Sequence, residues 1–405
     1  MNLRAIFAPG WRSRPEALLI LLSLAMPLAF STWMALLNNF SIERAAFTGV
    51  EIGFLQSIRE IPGFLSFAVV FVLLLMREQT LALLALGLLG VGTAVTGFFP
   101  SFWGLAVTTT IMSIGFHYFE AVRQSLVLQW VDRANAPAFM GRMISVGAFA
   151  GLVVLGGIWA GVDLLGLDMM WIYVLGGGAS FAIVLFCTAA FPVFKQPVEQ
   201  KKTIVLRGRY WLYYALTFMA GARRQIFVVF AGFLMVEKFG YDVADVTVLM
   251  LVNGIASMWL APIIGRLIGH WGERKALVCE YIGLAGVFTA YAFVDNAWIA
   301  GGLYVIDHVF FAMAIAIKTY FQKIADPADM ASTAGVSFSI NHIAAVVIPA
   351  AFGFIWVVWP GAVFLIGTGM ALVSLCLSLL IPHDPTPENN TLLKPRPLVQ
   401  PAPGE

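Results

Sequence analysis

Two adjacent arginines, Arg223 and Arg224, sit in the stretch MAGARRQIFVV, inside an apolar segment that runs from Tyr210 to Val236. A charged side chain deep in hydrocarbon costs roughly +2.5 to +3.5 kcal/mol on insertion scales, so a chain keeps one there for function or pairs it. Arg223 lies fourteen residues past Arg209, about 21 Å along a helix and too deep to reach an interface easily. Other apolar segments carry the bases Arg59, Arg123 and Lys318, the acids Glu60, Glu120 and Asp307, and the imidazoles of His117, His308 and His342. These groups can grip ions and carry protons. Five bases against three acids leave a surplus of two positive charges, which an anionic ligand would balance. Guanidinium stays charged and holds carboxylate or phosphate through two parallel bonds. Consecutive residues on a helix diverge by about 100°. One arginine of the pair is therefore expected to face the ligand, and the other an acid on a neighbouring helix, Glu60 or Asp307.

Spacing orders the remaining candidates. In HYFEAVRQ, His117, Glu120 and Arg123 recur at three-residue intervals, so neighbours in the series can touch. A carboxylate whose arginine partner can be taken by a ligand has a reason to change protonation. That makes Glu120 the first choice for a proton-linked acid and Asp307 the second. Asp307 and Lys318 are eleven residues apart and share a face on a regular helix. Arg123 and Lys318 each lie near the end of a segment, where they either contact ligand or extend to the headgroups. Arg59 and Glu60 precede Pro62, which bends the helix just beyond them. His342, next to Asn341, is a proton carrier or a buried hydrogen-bonder.

The elements that hold these residues are membrane helices. The chain of 405 residues is 60% hydrophobic and 11% charged, with a mean hydropathy of +0.88, far from a soluble domain. Spans of about 20 residues fit at 16–38, 50–76, 79–99, 102–131, 143–165, 169–192, 210–236, 244–265, 276–295, 297–322, 333–357 and 360–382. Arg4, Arg12 and Arg14 precede the first run, but that run is long and lacks a small-residue cleavage site, so it is read as a helix. Seventeen lysines and arginines fall in the termini and even-numbered loops, against Arg44 and Lys238 in the odd-numbered ones. Both termini are thus expected in the cytoplasm. The net charge of +2 gives no footprint for nucleic acid. Cys187, Cys279 and Cys376 lie in apolar runs without metal or disulfide spacing and read as small core residues. There is no P-loop, metal cluster or nucleophile elbow, and no cofactor is called for.

The two halves of the chain look alike. FSIERAAFTGVEIG follows the first span and LMVEKFGYDVADVT the seventh, pairing Glu43-Arg44 with Glu237-Lys238 and Glu51 with Asp245. Late in the fourth and tenth spans, Arg123 matches Lys318, Asp132 matches Asp326 and Gly141 matches Gly335. Such a repeat places a site between two related bundles. The basic segment 194–209 joins residues 1–193 to 210–382, and the Pro-rich tail 383–405 reads as disordered.

Twelve spans, a six-plus-six repeat and an interior central loop resemble the major facilitator superfamily over nearly the whole chain. The most specific local match is GRLIGHWGERK, Gly265 to Lys275, between the eighth and ninth spans. It is similar to that superfamily's gating motif, G-x-L-x-D-R-x-G-R-R/K. Gly265, Leu267, Gly272 and Arg274 fit, while Gly269, His270 and Glu273 replace the motif's Asp, first Arg and next basic residue. The helix-5 Gly/Pro motif of many antiporters is half present, as Gly147, Gly151, Gly156 and Gly157 without the proline. The resemblance implies an all-α membrane protein of two six-helix bundles, alternating access around a midplane site. The expected function is proton-coupled secondary transport of a small organic or phosphorylated anion by a monomer in a bacterial inner membrane. The alternatives are proton-coupled efflux of amphipathic cations, and a non-transporting receptor or assembly factor on the same fold. An enzyme is not expected.

Overall fold

In the computed structural model, residues 9–131, 136–194, 206–326 and 330–393 are described. Their helices join into twelve rods. They are α1 (Pro15–Ala45), α2 (Gly49–Phe64, continued to Val72), α3 (Glu78–Thr96), α4 (Phe102–Trp130), α5 (Ala136–Trp159) and α6 (Met169–Ala190). The second set is α7 (Trp211–Gln225, continued to Glu237), α8 (Val243–Trp271), α9 (Glu273–Phe293), α10 (Ala297–Phe311, continued to Ile324), α11 (Met330–Val358) and α12 (Pro360–Ser378). Ten of the described helices are long and apolar enough to cross a membrane. The rods α2 and α4 fall outside that set; the regular part of α2, Gly49–Phe64, is 16 residues long before a 3-10 turn at Leu65–Ala68.

The sequence repeat has a local cause. Thr48 caps α2 while Glu51 returns a bond to the Thr48 backbone. Asp242 and Asp245 make the same reciprocal cap on α8. This device satisfies amide groups that a helix start leaves open. Helix packing repeats as well. The pairs α2–α11, α3–α4, α3–α6, α1–α6 and α1–α5 recur, six rods on, as α8–α5, α9–α10, α9–α12, α7–α12 and α7–α11.

Glycine permits the tightest seam. A Cβ on Gly49 would lie 2.2 Å from Trp356 Cδ1, and one on Gly53 would lie 2.3 Å from the Pro349 carbonyl oxygen. Backbone therefore packs on backbone between α2 and α11, as small residues allow in membrane bundles. The Ala350 amide also donates to Ser57 Oγ at 3.0 Å across this seam. In α5, Gly147 and Gly151 approach α1, whereas Gly156 and Gly157 face open space.

Among the described residues, the buried apolar side chains form two clusters. The larger runs through α1–α6 and on into Phe230, Phe288, Trp356 and Phe364, at the end remote from both termini. The smaller holds Tyr210, Tyr213, Leu277 and Tyr320, at the terminal end of α7, α9 and α10. Among the described residues, the two sets of six rods share a continuous apolar core at the remote end. Asn39 on α1 adds a bond to the Tyr241 carbonyl at that end, 2.9 Å long.

Three expectations meet a different arrangement. Cys187 is core, but Cys279 is half-buried and Cys376 is exposed on α12. A 3-10 turn at Ala312–Ala314 breaks the register of α10, so Asp307 is buried and Lys318 exposed, on different faces. The stretch 384–393, read from composition as tail, lies docked: Tyr320 donates to the Asn390 carbonyl, and Asn390 donates to the Arg209 carbonyl at 3.0 Å. Residues 394–405, the linker core 195–205 and Asp132 lie outside the described residues.

Candidate functional site

The polar residues of α2, α4, α7 and α11 meet at mid-depth, on the seam between the two sets of rods. Glu60 is buried and pairs with Arg59 through Oε1. Its second oxygen, Oε2, is 4.0 Å from Arg224 Nη2 on α7 and 3.6 Å from His342 Nε2 on α11. One carboxylate is thus shared by guanidinium groups from opposite halves. The Arg224 side chain remains 34% exposed. Arg59 is further held by Met34 Sδ at 3.4 Å and lies over the Trp33 ring, 5.8 Å from its centroid.

His117 and His342 stand edge to face, 5.1 Å between ring centroids. Their hydrogen bonds assign the ring protons. Ser113 Oγ donates to the Arg59 carbonyl, so toward His117 Nδ1, 3.0 Å away, it can only accept. The Ser113 carbonyl, also 3.0 Å from that Nδ1, can likewise only accept. His342 Nδ1 faces the Phe338 carbonyl at 2.7 Å. Both imidazoles therefore carry hydrogen on Nδ1, and in the neutral form each presents a bare Nε2. Gly63 makes room for this, since a Cβ there would lie 2.3 Å from His342 Cδ2 and 2.6 Å from His117 Nε2.

The two arginines do diverge. Arg223 turns into the second set of rods, where it meets Glu280 of α9, Nη1 to Oε1 3.5 Å, with both side chains 0% exposed. Its guanidinium lies over the Tyr281 ring, 4.4 Å from the centroid. Asp307 of α10 is also fully buried. Among the described residues, the oxygens of Glu280 and Asp307 and the nitrogens of Arg223 meet no hydrogen-bonding protein group. Immediately after Gln225, α7 opens into a π-helical turn, Ile226–Ala231, a feature that often marks a functional position.

Elsewhere the candidates part company. Glu120 and Arg123 form a pair at 2.8 Å, each about one quarter exposed, but His117 points away from them. Lys318 is exposed and joins neither cluster. His308 bonds to Asn253 at 3.1 Å. In the gating-motif stretch, Gly272 adopts φ +79° between α8 and α9, a left-handed conformation that favours glycine. Glu273, where the motif has a base, is buried and pairs with Lys323 of α10 at 2.9 Å. Gly265 has open space around it, Leu267 packs at the edge of the smaller core, and Arg274 is half-buried.

Sequence reading passed over Glu280, although it lies inside the ninth span at 276–295. Counting it lowers the positive surplus from two to one. Its signal was the same one that singled out Asp307, an acid within an apolar run.

The comparisons agree with this architecture. The family model described as Major Facilitator Superfamily matches residues 17–349. Among curated proteins, no relative matches. Solved structures similar in fold include a point mutant of the nucleoside transporter NupG, at 15% identity and TM-score 0.75, covering 90% of this chain and 99% of that one. A bacterial homologue of the human lysosomal transporter Spinster, inward-facing and occupied, matches at 13% identity and TM-score 0.73 over 90% of this chain and 96% of that one. A POT family transporter in complex with 5-aminolevulinic acid matches at 11% identity and TM-score 0.70 over 92% and 96%. At these identities the likeness establishes the fold, and cargo does not follow from fold. With its family model spanning most of the sequence, this multi-pass membrane chain belongs to the Major Facilitator Superfamily, as a secondary transporter of a small molecule and not an enzyme.

Proposed function

We propose that the chain carries a small organic or phosphorylated anion across the plasma membrane, coupled to protons. Residues 1–193 would rock against residues 210–382 about the seam, with both termini cytoplasmic. The observation that carries the reading is the sharing of Glu60 by Arg59 and Arg224. Two fixed positive charges against one negative leave the seam at +1, and an anion supplies the missing charge. Arg224 is the mobile partner, because it is partly exposed and at 4.0 Å holds Glu60 only loosely. An incoming carboxylate or phosphate competes for it bidentately.

Coupling is assigned to the second cluster. One guanidinium between two buried acids, Glu280 and Asp307, leaves a net charge of −1 if both are ionised. A dry interior resists that excess, so a proton on one acid balances the site. Adjacent residues of α7 reach both clusters, so movement of α7 would link substrate grip to proton binding. Glu120, paired locally with Arg123, remains a second coupling candidate. The same acid excess is what favours the runner-up, efflux of a cationic compound.

Thermal shift of the purified protein against anions and cations, followed by counterflow in liposomes, separates these readings. Stabilisation by anions that is lost in Arg224→Lys supports the proposal. Stabilisation and counterflow by cations alone would overturn it in favour of efflux.

A further inference from the structure

The seam holds more than an anion clamp. One ligand atom from each of Glu60, His117 and His342 lies within 4.8 Å of the other two, and all three residues are buried. Because both Nδ1 positions donate to backbone or hydroxyl oxygen, the atoms that converge are two bare imidazole nitrogens and one carboxylate oxygen. Glu60 Oε2 meets no hydrogen-bonding protein group and faces His342 Nε2 at 3.6 Å. With both imidazoles neutral, two Nε2 lone pairs and one carboxylate oxygen gather within 4.8 Å of one another, an arrangement that a cation would bind. We propose that Glu60, His117 and His342 form a three-ligand site for a divalent transition-metal cation of the Zn²⁺ or Co²⁺ class.

The chemistry of the donors fits. Imidazole and carboxylate suit such ions, and three protein ligands leave a fourth tetrahedral position open. The supporting contacts are also in place. A metal-bound histidine ordinarily donates its other N–H to a carbonyl, as His342 does to Phe338 and His117 to Ser113. Glu60 ligates through Oε2 and keeps Arg59 on Oε1. Apolar rings flank the site, with Phe338 4.3 Å and Phe116 5.0 Å from the histidine centroids.

Charge dictates what accompanies the ion. A divalent cation raises the seam from +1 to +3, so an anion of two or more charges must enter with it. That anion takes the open coordination position and is held by the displaced Arg224. This clause rests on the anionic-cargo reading, while the metal site itself does not. The ligands come from α2 and α4 on one side and α11 on the other, so the site is complete only when the seam is closed. Metal occupancy therefore favours this arrangement of the halves.

The test is a titration of untagged protein in detergent with Co²⁺, read by its ligand-field absorption and by competition with Zn²⁺. Wild type should take up one Co²⁺ per chain with a tetrahedral spectrum. His117→Gln and His342→Gln should each weaken uptake at least ~10-fold, while His308→Gln, outside the cluster, leaves it unchanged. Should the first two misfold, Ser113→Ala keeps both imidazoles and removes one acceptor behind His117, and should weaken uptake measurably. No uptake by wild type, or equal uptake by all variants, overturns the site. Malonate should raise Co²⁺ affinity in wild type but not in Arg224→Gln. Affinity indifferent to malonate in both overturns the joint occupancy. Failure of malonate to bind without metal bears only on the anionic-cargo reading.

Discussion

Arg223 and Arg224 are neighbours of the same type, yet the structure assigns them opposite sensitivities to substitution. Arg223 and Glu280 are both wholly buried at 3.5 Å. At an effective dielectric constant of 20, that separation corresponds to an attraction of about 5 kcal/mol. Removing one partner of a buried pair typically costs about 3–5 kcal/mol, because the other is left uncompensated. Arg223→Gln strands two acids, Glu280 and Asp307, and also loses the stack on Tyr281, so it should fall at the upper end of that range. Glu280→Gln should cost less, because Asp307 remains to balance Arg223. Arg224 stands 4.0 Å from Glu60 and is one-third exposed, while Glu60 keeps Arg59. Exposure screens that interaction, so Arg224→Gln should cost no more than about 1 kcal/mol. The assay is thermal unfolding of detergent-purified variants by intrinsic fluorescence, paired with anion binding. Arg223→Gln should drop the unfolding temperature by several degrees. Arg224→Gln should leave it nearly unchanged and abolish anion binding. Equal loss of stability in the two variants, or a larger loss in Arg224→Gln, would refute the division of roles.

Further outcomes follow from the same geometry. Asp307→Asn or Glu280→Gln should retain substrate exchange but lose accumulation driven by a pH gradient; wild-type accumulation in both would remove this pair from coupling. Gly53→Leu puts a side chain against the Pro349 carbonyl and should block closure of the remote end, slowing transport while the fold persists. Unchanged transport in that variant would show that the seam is not part of the cycle. Cysteines at Asn39 and Tyr241, in a background lacking the three native cysteines, should be bridged by a short thiol reagent and stop transport reversibly; undiminished transport in the bridged protein contradicts alternation at that end. Single cysteines at Lys201 and Glu43 should label from opposite sides of the membrane, with Lys201 cytoplasmic, and labelling of both from outside would reverse the topology.

Much of this protein follows from local rules. Runs of apolar residues near 20 long set the rods, because backbone groups in hydrocarbon must bond within their own helix. The likeness of TGVE and DVAD was legible as a repeat because both cap a rod in the same reciprocal way. The divergence of Arg223 from Arg224 was readable from the angle between neighbours on a helix. Rotation and partner were not readable. The rods are apolar on most faces, so no polar stripe reveals which side turns inward. Hence three-residue spacing placed His117 with Glu120, while packing turned it to His342, 225 residues away. Eleven-residue spacing put Asp307 and Lys318 on one face until a 3-10 turn rotated them apart. One arginine of the pair was expected to meet Glu60 or Asp307; Arg224 is the one near Glu60, at 4.0 Å, while Arg223 meets Glu280 at 3.5 Å. Contacts between helices depend on the rotation and approach of every rod, and the close approach of α2 to α11 at Gly49 and Gly53 is settled only when all of them pack together.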